Sequence, residues 1–210
     1  EYAPENDSEG FNGEAAIDFI IDSCYKYGKE LTVLAIGPLT NIGKVIKKDP
    51  DALNHAKRVV IMGGKFYDSE PEWNIICDVE AAAILFSGAV KNLECIGLDV
   101  TLKTQLTVAE TEIASTYKGK AYSEYASRLV RIWCERNHSR PTLHDPLAFF
   151  YCMFPDIVTT EKMRVTVVTK GEARGVTMNI SHWDNWRLNR VDPGFSRFAE
   201  VTVAKEVDRE

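Results

Sequence analysis

Three short, nearly continuous apolar runs constrain this chain more than any other feature. They are Leu31-Thr-Val-Leu-Ala-Ile36, Arg58-Val-Val-Ile-Met62 and Leu93-Glu-Cys-Ile-Gly97. Runs this short, apolar at consecutive rather than alternate positions, mark strands covered on both faces, as in a parallel sheet. Helical patterns sit before and between them. From Glu14 to Tyr27, the residues Ala16, Ile17, Phe19, Ile20 and Cys24 recur at helical spacing, and Gly28 follows as a C-cap. Residues 40–48 form a helix with Thr40 as N-cap, stopped by Asp49-Pro50. Residues 78–86 open on Asp78, again an N-cap, and continue in strong helix formers. A strand–helix–strand–helix–strand order implies right-handed crossovers. The expected fold is therefore α/β, an open, mostly parallel sheet with helices on both faces, in one domain over residues 1–210. Residues 107–137 read as two helices broken near Lys118-Gly119-Lys120, and a further helix begins at Asp145. Strands return at roughly 164–170, 174–180 and 199–204, the first two joined by the turn Lys170-Gly171-Glu172.

Charge and composition then exclude whole classes of function. The net charge is −6 and the basic residues are scattered, whereas nucleic-acid binding needs clustered Lys and Arg. No apolar run approaches the roughly 20 residues that span a bilayer. The five cysteines, Cys24, Cys77, Cys95, Cys134 and Cys152, are odd in number and widely spaced, with no CxxC pair. That pattern speaks against zinc sites and a disulfide framework, and it points to a reduced, cytoplasmic setting. Neither a P-loop nor a dinucleotide fingerprint nor a G-x-S-x-G elbow occurs.

Ligands of open α/β sheets gather at the carboxyl ends of the strands, which directs attention to three segments. Ile36-Gly37-Pro38-Leu39-Thr40-Asn41 is a strand-to-helix turn, and the Ile36 carbonyl at its start is a ligand type that suits Ca²⁺. Glu72-Trp73-Asn74 is a polar loop. In an extended segment, Glu72 and Asn74 point to the same side, and a carboxylate beside an amide can hold sugar hydroxyls. In Leu143-His144-Asp145-Pro146, Asp145 fits an N-cap with Pro146 at the first helical position. His144 next to it supplies the side chain whose charge changes near pH 7.

Taken in order, these segments resemble the inosine–uridine-preferring nucleoside hydrolases. The resemblance rests on Ala35-Ile-Gly-Pro-Leu-Thr-Asn-Ile42, Ile61-Met-Gly-Gly64, Glu72-Trp-Asn-Ile75, Asp78-Val-Glu-Ala-Ala82, Gly97-Leu-Asp-Val-Thr101 and His144-Asp145, and it covers most of residues 10–180. It implies hydrolysis of the N-glycosidic bond of a small-molecule ribonucleoside by a calcium-activated water, through an oxocarbenium-like state. It further implies Asp145 and the Ile36 carbonyl as calcium ligands, Glu72, Asn74 and Asp145 on the ribose, and His144 near the departing base. Homodimers or homotetramers are the family's usual assemblies.

The sequence departs from the family in one large respect. The family's Asp-x-Asp-x-x-x-Asp-Asp cluster, which supplies further calcium ligands and the general base, occurs nowhere in it. The loop between Gly64 and Glu72 also lacks an expected Asn. These departures raise two expectations: a domain truncated at its N-terminus and also at its C-terminus, binding calcium weakly, or a non-catalytic protein that keeps a ribose pocket without the metal. Base preference is expected from residues 107–137, where Tyr125, Trp133 and His138 are candidates for stacking.

Overall fold

The computed structural model describes residues 14–183 and 200–208; the polar opening segment falls outside them. The helices are α1 (Ala15–Tyr27), α2 (Thr40–Lys48), α3 (Ala52–His55), α4 (Trp73–Cys77), α5 (Val79–Ile84), α6 (Leu98–Thr101), α7 (Val108–Thr116), α8 (Ala121–Asn137) and α9 (His144–Met153). The strands are β1 (Thr32–Ala35), β2 (Arg58–Met62), β3 (Leu93–Ile96), β4 (Val158–Val167), β5 (Thr177–Asn179) and β6 (Glu200–Val207). They form one sheet in the order β1-β2-β3-β6-β4-β5. The first four run parallel in that order, and β4 joins β6 and β5 antiparallel.

The apolar runs became strands because both of their faces are covered. In β2, Val59 and Ile61 enter a core beneath α1, α2 and α5, while Val60 and Met62 enter a second core with Leu147, Ala148 and Tyr151 of α9. A side chain that alternates faces yet is apolar at every position is the outcome of this arrangement. Gly28 ends α1 at φ +52 and its N–H bonds the Cys24 carbonyl, as a glycine C-cap should. Gly43 has a different duty: a Cβ there would lie 2.7 Å from Ala81 Cβ, so α2 and α5 approach closely only because it has none.

Several boundaries differ from the sequence reading. Thr40 does not cap α2: Leu39 is the N-cap, and the Thr40 hydroxyl instead donates to Asp78 Oδ2 at 2.5 Å. Asp78 does cap α5, accepting from the Ala81 N–H. Strand β4 begins at Val158 rather than 164, and its early residues pair with β6 across a bulge at Thr159/Thr160. The hairpin over 164–180 is short, with β5 confined to three residues.

Candidate active site

The parallel strands end on one side of the sheet, and a cavity of about 270 Å³ opens there. It is lined by Ile36, Met62, Glu72, Trp73, Asn74, Leu98, His144 and Asp145. The five residues expected at the metal, the ribose and the departing base, Ile36, Glu72, Asn74, His144 and Asp145, therefore meet at one place, although they come from three segments far apart in the chain. Ile36 follows the last residue of β1, Met62 ends β2, and Leu98 opens α6 just past β3.

Glu72 and Asn74 are side by side, but not in an extended segment. Glu72 is the N-cap of α4, and Asn74 lies in that helix's first turn. The Glu72 carboxylate is buried and accepts three backbone N–H groups: Asn74 at 2.9 Å, Ile75 at 3.1 Å and Gly64 at 3.1 Å. It fixes both α4 and the loop leaving β2. Asn74 Nδ2 donates to the Met62 carbonyl at 3.0 Å, which ties the same helix to the strand end. Its amide oxygen carries no hydrogen bond among the described residues. Trp73 between them is exposed at the cavity rim.

His144 and Asp145 occupy the first turn of α9. Asp145 is not the N-cap: that residue is Leu143, and the helix starts at His144. The Asp145 carboxylate has no hydrogen-bond partner among the described residues, and partial burial pushes its pKa up against the opposing pull of His144. A helix N-terminus favours a negative group placed there. His144 Nδ1 lies 2.8 Å from Thr101 Oγ1. Burial lowers the imidazole's pKa, while Asp145 and Glu72 pull the other way. The protonated form of a histidine so placed is a stronger acid than usual.

Thr101 was missed as a contributor to the site. Its motif Gly97-Leu-Asp-Val-Thr101 was visible, but a bond across 43 residues of sequence has no local signal. Asp99 in the same motif accepts the N–H groups of Phe66 at 2.7 Å and Tyr67 at 3.3 Å, and so anchors the loop after β2. Tyr125, Trp133 and His138 line none of this cavity. His138 borders a separate hollow with Gln105, Cys134, Ser139 and Arg140, in a left-handed conformation at φ +47.

The described residues do not by themselves form a calcium site. No group of three or more His, Cys, Asp or Glu side chains gathers among them to hold a metal. Glu72 is committed to backbone N–H groups, which leaves the Asp145 carboxylate and the Ile36 carbonyl as oxygens suited to the ion, against the six to eight that calcium takes. Likewise, no described helix is long and apolar enough to cross a membrane.

Comparison with known proteins identifies the family. The family model for inosine-uridine preferring nucleoside hydrolases matches residues 2–210. The chain belongs to that family. Uridine nucleosidase 1 of Arabidopsis thaliana is 30% identical over 207 residues, covering 94% of this chain and 60% of that protein. Among solved structures, a plant nucleoside hydrolase superposes with a TM-score of 0.78 at 25% identity, covering 92% of this chain and 63% of the other. A purine-preferring ribonucleoside hydrolase from Gardnerella vaginalis gives 0.74 at 35% identity, covering 92% and 61%. The chain thus spans about three-fifths of the length of these nucleoside hydrolases.

Proposed function

We propose that this chain supplies the ribose-holding side of a ribonucleoside hydrolase, which cleaves the N-glycosidic bond to give ribose and a free base. The observation that carries the proposal is the meeting of Ile36, Glu72, Asn74, His144 and Asp145 at one strand-end cavity. Asp145 accepts hydrogen bonds from ribose hydroxyls, since its carboxylate has no hydrogen-bond partner among the described residues. The Asn74 amide oxygen accepts a second, and Glu72 retains one lone-pair site beyond the three N–H groups it serves. In the reaction, water adds to the anomeric carbon and releases one proton to solvent as the C–N bond breaks, and the electron pair of that bond leaves with the base. His144 is placed to meet that charge. With Nδ1 engaged by the Thr101 hydroxyl at 2.8 Å, Nε2 is the ring nitrogen left to serve the base, and the imidazolium form gives up a proton readily because burial disfavours it.

Asp145 and the Ile36 carbonyl would contribute two oxygens to the calcium ion that the family resemblance implies. The rest come from substrate, solvent or polypeptide beyond the described residues. That same shortage favours a second reading, a protein that binds ribose or a nucleoside without turning it over. Calorimetry with ribose and with calcium, alongside a ribose-release assay on uridine and inosine, separates the two. Turnover, in the chain itself or after joining it to the portion of a relative it does not span, supports the hydrolase. Ribose binding with no turnover in either form supports the binding protein, and no ribose binding in any form sinks both.

A further inference from the structure

Thr177 opens β5 and is only 1% exposed, although its side chain is polar and stands outside the cavity. Its hydroxyl accepts the Lys65 N–H at 2.9 Å and donates to the Lys65 carbonyl at 2.7 Å. One side chain thus serves both backbone groups of a residue 112 positions away. Lys65 is itself buried, and buried backbone groups need partners. Removing the hydroxyl takes the partner from both. The Lys65 ammonium closes on its own loop, with Asp68 Oδ2 at 2.7 Å and Glu70 Oε2 at 2.5 Å.

Lys65 directly follows the residue from which the cavity wall hangs. The Gly64 N–H donates to Glu72 at 3.1 Å, and the Gly64 carbonyl accepts the Leu98 N–H at 2.8 Å. Glu72 and Leu98 both line the cavity, and Glu72 in turn holds the N–H groups of Asn74 and Ile75. The turn before β5 reaches α4 as well. A Cβ on Gly175 would lie 3.0 Å from Ile76 Cγ1 and 3.5 Å from Pro71 Cβ, so backbone there rests directly on the helix and its approach. Arg174 pairs with Glu80 at 2.9 Å, but both are well exposed and such a pair adds little. The clasp on Lys65 is therefore the stronger tie. We propose that Thr177 is a positioning residue for the ribose-holding pair. It fixes residue 65, and through Gly64 and the Glu72 carboxylate it sets where Asn74 stands in the cavity. The role presupposes that Glu72 and Asn74 hold ribose, as proposed for the cavity. It gives the β4–β5 hairpin, which contributes no described residue to the cavity lining, a part in shaping it.

Native-state hydrogen exchange of the 210-residue chain in rising, sub-denaturing urea tests this, together with ribose calorimetry. In the parent, the amides of Gly64, Lys65, Asn74 and Ile75 should open as one unit with a common dependence on urea. Thr177→Val keeps the shape and removes the hydroxyl. In it, those four amides should exchange about tenfold faster than the change in global stability, read at Val60 and Ile61 of β2, accounts for. The same variant should weaken ribose binding by about tenfold, and Thr177→Ser, which keeps the hydroxyl, should bind within about twofold of the parent. Amides that open separately in the parent would overturn the proposal, even where Thr177→Val does not fold. So would loosening in Thr177→Val that is global only, or ribose affinity unchanged by it. A parent that binds no ribose would count against the ribose reading instead, and exchange would then decide the Thr177 assignment by itself.

Discussion

Replacing Glu72 separates a structural duty from a sugar-binding one. A carboxylate serving only ligand can be removed with little effect on folding. Here it accepts three backbone N–H groups from inside the protein. Loss of its cap on α4 costs about 1 kcal/mol. The Gly64 N–H, in a buried loop, is left without its partner, at about 1–3 kcal/mol. Glu72→Ala is therefore expected to lower stability by about 2–4 kcal/mol, a fall in Tm of between about 4 and 16 °C for a chain of this size. Glu72→Gln keeps one acceptor oxygen and should lose about half as much. Urea unfolding at constant m reads the difference directly. Asp145→Ala is the internal control: Asp145 caps no helix and makes no side-chain hydrogen bond among the described residues, so its removal should leave stability within about 0.5 kcal/mol. A Glu72→Ala protein as stable as its parent would refute the reasoning and return Glu72 to a purely ligand-binding role.

Gly43→Ala should destabilise by about 1–3 kcal/mol through overpacking of α2 on α5, measured by the same unfolding curve. Asp78→Ala removes the α5 cap and the bond from Thr40, at about 1 kcal/mol at neutral pH. The Thr40 hydroxyl holds the Asp78 carboxyl below its ordinary pKa, so this contribution is full above about pH 4 and fades as pH falls through the lowered value. Stability of the variant and the parent should therefore draw together in acid, and a gap that does not narrow as pH falls would contradict the assignment. Thr101→Val removes the partner of His144 Nδ1, and nitrogen-15 spectra of the imidazole should then show a changed tautomer balance, whereas an unchanged spectrum would mean that Thr101 does not orient it.

How legible all this was from sequence varies by element and for physical reasons. The three buried strands announced themselves because a sheet covered on both faces admits apolar side chains at every position. Helix α1 was equally plain, since one buried stripe repeats at 3.6 residues. Helix α4 was not, because five residues give no periodicity and glutamate is an unusual N-cap. Glu72 and Asn74 were thus picked out for an extended geometry they do not adopt, yet they arrive side by side through a helix turn instead. Strand β4 starts six residues early because Thr159, Thr160, Glu161 and Lys162 look like a loop, and only pairing with β6 makes them a strand. Asp145 looked like a cap because aspartate before proline so often is. The site's convergence was legible through the ordered motifs. The bond from Thr101 to His144 was not, since tertiary packing alone brings the two together.

The central claim is that Asp145 holds the sugar in a hydrolytic site, and turnover measures it most directly. The chain joined to the portion of a relative that it does not span is assayed for ribose release from uridine and inosine, with calcium present, as parent and as Asp145→Ala. The account expects turnover by the parent fusion and background rates from the variant, whose fold and stability are unchanged. Equal rates from the two, or no ribose release from a folded parent fusion, would contradict it.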